Sequence, residues 1–120
     1  MTDFASVFAA LRSIMLRHTQ QLDCTVDNDQ ELYLNSKHIQ KNGKPLFFGA
    51  VQIKKRHVSY HLMPVYLNPK LVEGISPELQ KHMHGKSCFN FTTVDASLFR
   101  ELAKLTKAGI MDYKKQRFVG

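Results

Sequence analysis

The chain has 120 residues, of which 43% are hydrophobic and 22% charged, and a formal net charge of +7. That length suits one domain spanning residues 1–120, and the balance excludes a disordered or low-complexity chain. No apolar run approaches the roughly 18 residues needed to span a bilayer, and the two cysteines, Cys24 and Cys88, fit neither a disulfide framework nor a zinc spacing.

In chain order, Asp3 or Thr2 caps a first helix over about residues 3–20, with Phe4, Val7, Phe8, Leu11, Ile14 and Met15 on one apolar stripe. The same segment is not expected to act as a signal peptide, because Asp3 stands where a basic region belongs and Arg12 interrupts the apolar run. A short strand from Leu22 to Val26, a turn at Asp27–Asp29 and a second strand at "ELYLN" follow. "KNGKP" is a loop. "LFFGAVQIK" is then a strong strand, with Phe47, Gly49, Val51 and Ile53 on one face and Leu46, Phe48 and Ala50 on the other. Two apolar faces predict a central strand covered on both sides, at least in part. "HVSYHLMP" is its antiparallel partner.

Two short helices come next. Asn68-Pro69 opens one and Gly74 closes it; Ser76-Pro77 opens the other and Gly85 closes it. This places His82 and His84 at a helix end. "KSCFNF" is the last strand. Asp95 caps a long helix from Ala96 to Lys115, with Leu98, Phe99, Leu102, Leu105, Ile110 and Tyr113 inward and Arg100, Lys104, Lys107 and Lys114 in water. The predicted fold is α+β, a single domain. A mainly antiparallel sheet of about five strands is flanked by N- and C-terminal helices, with two short helices before the last strand.

Basic charge is concentrated: residues 37–60 carry six basic and no acidic residues, namely Lys37, Lys41, Lys44, Lys54, Lys55 and Arg56. Such a patch attracts anions, nucleic acid included, but lysines at turns and strand ends also keep small sheets soluble. "QKHMHGKSCFNF" offers three chemistries. Gly85-Lys86-Ser87 is not a phosphate loop, because Gln80 stands where the leading glycine belongs and the order is helix, loop, strand. His82, His84 and Cys88 are weak metal candidates, since two histidines at a helix end diverge by about 200°. His57 and His61, four strand residues apart, are separated by roughly 13 Å and cannot share one ion. Cys88 as a nucleophile would need a base and an electropositive setting; a small buried side chain is the simpler role. Phe47, Phe48 and Tyr60 near Lys54–Arg56 would suit base stacking if exposed, but read as core.

The run "NGKPLFFGAVQIKKRHVSYHLMPVY", followed by "PELQKHMHGKSCFNF", resembles the YdhG-like bacterial family of unknown function. The matching features are Gly43-Lys44-Pro45, the Phe48-Gly49-Ala50 step, the hairpin from His57 to Pro64, and Gly85-Lys86 before Phe91. Upstream, where the family interrupts its first long strand with glycine and proline, this chain has Leu34-Asn35-Ser36-Lys37. The resemblance implies a compact layout like that of secretion chaperones, often dimeric, with no established catalytic residues. Iron delivery, ascribed to some members, calls for clustered carboxylates. Asp23, Asp27, Asp29 and Glu31 read instead as solvated turn residues.

These readings lead to a small cytoplasmic, non-enzymatic binding or adaptor domain, without cofactor or membrane partner, acting as monomer or homodimer on a small molecule, an anion or a protein. Its candidate ligand or anion contacts are Lys44, Lys54, Arg56, His57, Tyr60, His61 and Lys86. Metal handling (iron or zinc) and nucleic-acid binding through residues 37–56 are the alternatives.

Overall fold

A computed structural model describes residues 3–119. The order is α1 (Phe4–Leu16), a 3-10 turn (Thr19–Gln21), β1 (Asp23–Asp27), β2 (Glu31–Ile39), β3 (Pro45–Ile53), β4 (Val58–Leu62), α2 (Met63–Leu67), a 3-10 turn (Pro69–Val72), α3 (Pro77–Gln80), β5 (Met83–His84), β6 (Cys88–Phe91) and α4 (Ala96–Lys115). All strand pairs are antiparallel in the order β1-β2-β3-β4-β6-β5. The α+β class and the helices at both ends are as predicted, and the sheet gains a sixth strand.

Capping chemistry sets the helix starts. Asp3 accepts from the Ser6 amide at 2.7 Å and Asp95 from the Leu98 amide at 3.0 Å. The first helix stops at Leu16, short of the expected residue 20, and the chain tightens into a 3-10 turn before β1. α1 and α4 pack side by side on one face of the sheet. Their stripes enclose a core in which Leu11, Leu34, Leu62 and Leu102 are fully shielded. Each such leucine contributes about 2 kcal/mol by burial.

β3 is an inner strand, as predicted, and its second face is covered in part, with Ala50 1% exposed, but strict alternation fails along it. Leu34 pairs with Gly49 but Asn35 pairs with Phe47, so Phe48 is an extra residue, a β-bulge. The bulge shifts the alternation by one. Phe48 meets Tyr113 of α4 edge-on at 5.5 Å, and so joins Gly49, Val51 and Ile53 on the helix side. Phe47 turns to the opposite face and stacks on Tyr33 at 4.7 Å. The Tyr113 hydroxyl donates to the Phe47 carbonyl at 2.7 Å and ties α4 to the bulge.

The middle of the chain departs further. β4 ends at Leu62, and Met63-Pro64 begins α2, where proline suits the first helical turn. Asn68 makes no side-chain cap; its amide reaches Asp112 at 3.1 Å, and the turn after it is 3-10. α3 is held by Ser76, whose hydroxyl accepts from the Leu79 amide and donates to Glu101 of α4 at 2.6 Å. It stops at Gln80, not near Gly85. A helix this short gains little from propagation, and the edge of β6 claims the next residues. The Asn90 amide donates to the His82 carbonyl, and Met83 pairs with Phe89. Gly85, at φ +78°, is therefore the turn glycine of a β5–β6 hairpin, not a helix stop.

Candidate functional site

Among the described residues no helix covers the second face of the sheet. Across its middle runs a row formed by direct strand pairing: Tyr33 (β2), Ala50 (β3), His61 (β4), Cys88 (β6) and His84 (β5). This gathers His61, Cys88 and His84, which the sequence could not place together. The Cys88 Sγ lies 3.8 Å from His61 Nε2 but donates its hydrogen to Asn90 Oδ1 at 3.3 Å. Burial pushes the Cys88 thiol up, against the opposing charge of Lys54. Burial also holds the His61 imidazole down, and Lys54 adds to that. Both groups are neutral near pH 7, so the pair lacks the thiolate–imidazolium character of an activated nucleophile.

The remaining predicted contacts do not converge. Tyr60 points the other way: it is fully buried, its hydroxyl is bonded to Thr106 at 2.6 Å, and it cannot meet a ligand on this surface. Lys44 and Lys86 sit in turns at one end of the sheet. Lys54, Arg56 and His57 sit in the β3–β4 turn at the other, roughly 13 Å away along β4 and about 26 Å along β3. Arg56 and His57 share a shallow recess with His82 and His84. There the His82 ring stacks on Phe91 at 4.6 Å and its Nδ1 bonds the Asn90 carbonyl oxygen at 2.8 Å. Among the described residues no three His, Cys, Asp or Glu side chains are placed to hold a metal ion. Of the three rings considered for base stacking, Phe48 and Tyr60 are buried in the core and Phe47 lies on the open face.

The depressed imidazoles have a consequence for stability. His18 is held below its ordinary value by burial and by Arg17, Lys107 and Lys114, and His61 by burial and Lys54. The unfolded chain therefore binds protons before the folded one. Stability is level above the unfolded value of about 6.5 and falls as pH drops through the folded values. Thermal unfolding followed by circular dichroism at fixed ionic strength should show a level midpoint above about pH 7 and a decline below it. His61→Gln should make that decline shallower; an unchanged slope would show that His61 titrates alike in both states.

A second concavity lies on the helix side, where the sequence pointed to no site. It is a groove of about 630 Å³ between α1 and α4. Ala10 and Ile14 from α1 and Phe99 and Ala103 from α4 give it an apolar lining. Val94, 48% exposed, extends that lining at the N-terminal end of α4. Arg17, Arg100, Lys104 and Lys107 stand exposed around it, and no carboxylate is among its lining residues. Among the described residues none of these four cations is in an ion pair; the pair that forms is Arg12–Asp27 at 2.7 Å. The nearby acids are otherwise engaged, Asp95 in capping α4 and Glu101 in holding Ser76. The signal was present in the sequence: Arg100, Lys104 and Lys107 recur at helical spacing beside Ala96, Phe99 and Ala103. Alone it reads as an ordinary wet face, because only the packing of α1 alongside turns it into one wall of a groove. No helix is long and apolar enough to cross a membrane among the described residues. No protein-family model, curated protein or solved structure matches the chain.

Proposed function

We propose that the chain is a non-enzymatic binding or adaptor domain, that its working surface is the α1–α4 groove, and that its partner is anionic. The observation that carries this reading is the ring of four unpaired cations over an apolar lining that contains no carboxylate. Charge arranged this way raises the local concentration of an anion, and the apolar lining adds affinity that a scattered basic surface lacks. The neutral state of Cys88 and His61 supports a binding role over nucleophilic catalysis. Within the same reading we place the chain near the YdhG-like family, on Gly43-Lys44-Pro45 in the β2–β3 turn and Phe48-Gly49-Ala50 at the bulge. We also place it in the cytoplasm, a reading supported by two free cysteines.

The test is an amide NMR titration with three anionic probes: polyglutamate, decanoate and an acidic peptide. At low salt at least one should shift resonances of α1 and α4 around Arg17, Phe99 and Lys104. The shifts should fade near 1 M salt, where the screening length is about 3 Å. Absence of groove shifts with all three, or shifts confined to the His61–Cys88 face, would overturn the proposal.

A further inference from the structure

We infer that the occupant of the α1–α4 groove is an acidic amphipathic helix supplied by a partner protein. The inference rests on the anionic-partner reading and goes further by fixing the shape of the ligand. Along α4, Ala96, Phe99 and Ala103 form one stripe and Arg100, Lys104 and Lys107 a second stripe beside it. Both repeat at helical spacing. From Ala96 to Lys107 they run roughly 17 Å, about three turns. A ligand that satisfies both stripes must alternate apolar and anionic groups with that same axial repeat. An α-helix with leucine-like residues at i, i+3 and i+7 and glutamates alongside them does so.

The groove itself fits a helix. Its walls are two helices, of 13 and 20 residues, and a third laid along the seam would rest on the solvent side of the α1–α4 layer. The small residues Ala10 and Ala103, one from each wall, leave room for a close approach. Arg17 on α1 faces the three cations of α4, so a bound helix would have a cation on each flank. Other anions match less of this. A fatty acid brings one carboxylate to four cations. A polyanion without apolar groups leaves the exposed Val94 and Ala96 in water. A flat anionic membrane reaches the rim but not the bottom of a groove.

The experiment uses the full chain and four probes. The first is a peptide of about 18 residues with leucines at i, i+3, i+4 and i+7 flanked by glutamates, long enough to form a helix in part on its own. The second has the same composition with two central prolines, and the third is polyglutamate. The fourth is a vesicle of anionic phospholipid. Fluorescence anisotropy reads affinity for the peptides and polyglutamate, co-sedimentation reads vesicle binding, and circular dichroism reads peptide helicity. The first peptide should bind, gain helicity on binding, and exceed the proline peptide by at least about tenfold. The paired substitution Arg100→Glu and Lys104→Glu should weaken it at least about tenfold, since several exposed charge pairs are reversed together. Lys55→Glu, in the β3–β4 turn, should change it less than about twofold. Equal binding of the proline peptide or polyglutamate, or loss with Lys55→Glu matching the loss at the groove, would overturn the helical partner while leaving an anionic one. Binding of vesicles with none of the peptide would assign the groove to a membrane surface and likewise overturn it. If no probe, decanoate included, touches the groove, this inference and the reading beneath it fall together.

Discussion

Gly49→Ala should lower the free energy of unfolding by about 2 kcal/mol, the middle of the range for overpacking a filled core. A Cβ at that position would lie 2.7 Å from Met15 Cε, 3.2 Å from Met15 Sδ and 2.9 Å from the His61 carbonyl oxygen. The methionine tip belongs to α1 and can rotate away. The His61 carbonyl belongs to the β4 backbone, directly across the ladder, where Gly49 pairs with Leu62 and Ala50 with His61. It cannot move without breaking the sheet at its centre. A new methyl must therefore push β3 and β4 apart next to the bulge at Phe48, or push α1 off the sheet. Alanine's lower unfolded-state entropy offsets part of this, by about 0.5–1 kcal/mol. Urea unfolding of both proteins measures the difference. If Met15 alone were the obstacle, Met15→Leu in the Gly49→Ala background would restore stability. Failure of that rescue identifies the backbone contact as the dominant one, and full rescue would refute it.

The same glycine shows what the sequence could and could not disclose. The resemblance singled out the Phe48-Gly49-Ala50 step, and alternation identified the strand, but not the bulge. A one-residue bulge leaves no compositional mark, yet it moves Phe48 into the core and Phe47 out of it. Strict alternation therefore put Phe47 beside Gly49, Val51 and Ile53, where Phe48 belongs. Helix signals transferred better: the caps at Asp3, Ser76 and Asp95 act as their positions suggest, because capping is local. "KHMH" failed for the opposite reason. Its strand character comes from β6, through the Asn90 amide and the pairing of Met83 with Phe89, contacts that a local reading of helix signals does not contain. The site followed the same division. Basic residues close in sequence, Lys37 to Arg56, drew attention, but the turns disperse them to the two ends of the sheet. The cations that converge come from α1 and α4, with more than 80 residues between Arg17 and Arg100.

The second large effect is expected at the buried hydroxyl pair that fastens α4 to the sheet. Thr106 Oγ1 is 2.8 Å from the Leu102 carbonyl oxygen and 2.6 Å from the Tyr60 hydroxyl. A carbonyl only accepts, so the threonine hydrogen goes to Leu102, and Tyr60 must be the donor to Thr106. Both residues are fully buried. This direction makes the two deletions unequal. Thr106→Val leaves the Tyr60 O–H with no acceptor in a dry core and should cost about 2 kcal/mol, the usual penalty for a stranded buried donor. Tyr60→Phe removes a donor, while Thr106 keeps its bond to Leu102; that loss should be about 1 kcal/mol. Burial also pushes the Tyr60 phenol far above its ordinary value, so ionisation gives the stranded hydroxyl no escape at neutral pH. Combining the two substitutions removes donor and acceptor together, and the double variant should be no less stable than Thr106→Val alone. A double-mutant cycle in urea measures a coupling of about 1 kcal/mol if this is right. Strict additivity, or a Tyr60→Phe cost exceeding that of Thr106→Val, would mean that the hydroxyls are not paired in this direction. The Tyr60–Thr106 contact lies on the helix side of β4, one strand position from His61 on the open face, and it holds the helix that forms one wall of the cationic groove. A weakened pair should therefore loosen the groove as well as the fold. Peptide affinity measured in Thr106→Val tests that link, and unchanged affinity would show that the groove is set by α1–α4 packing alone.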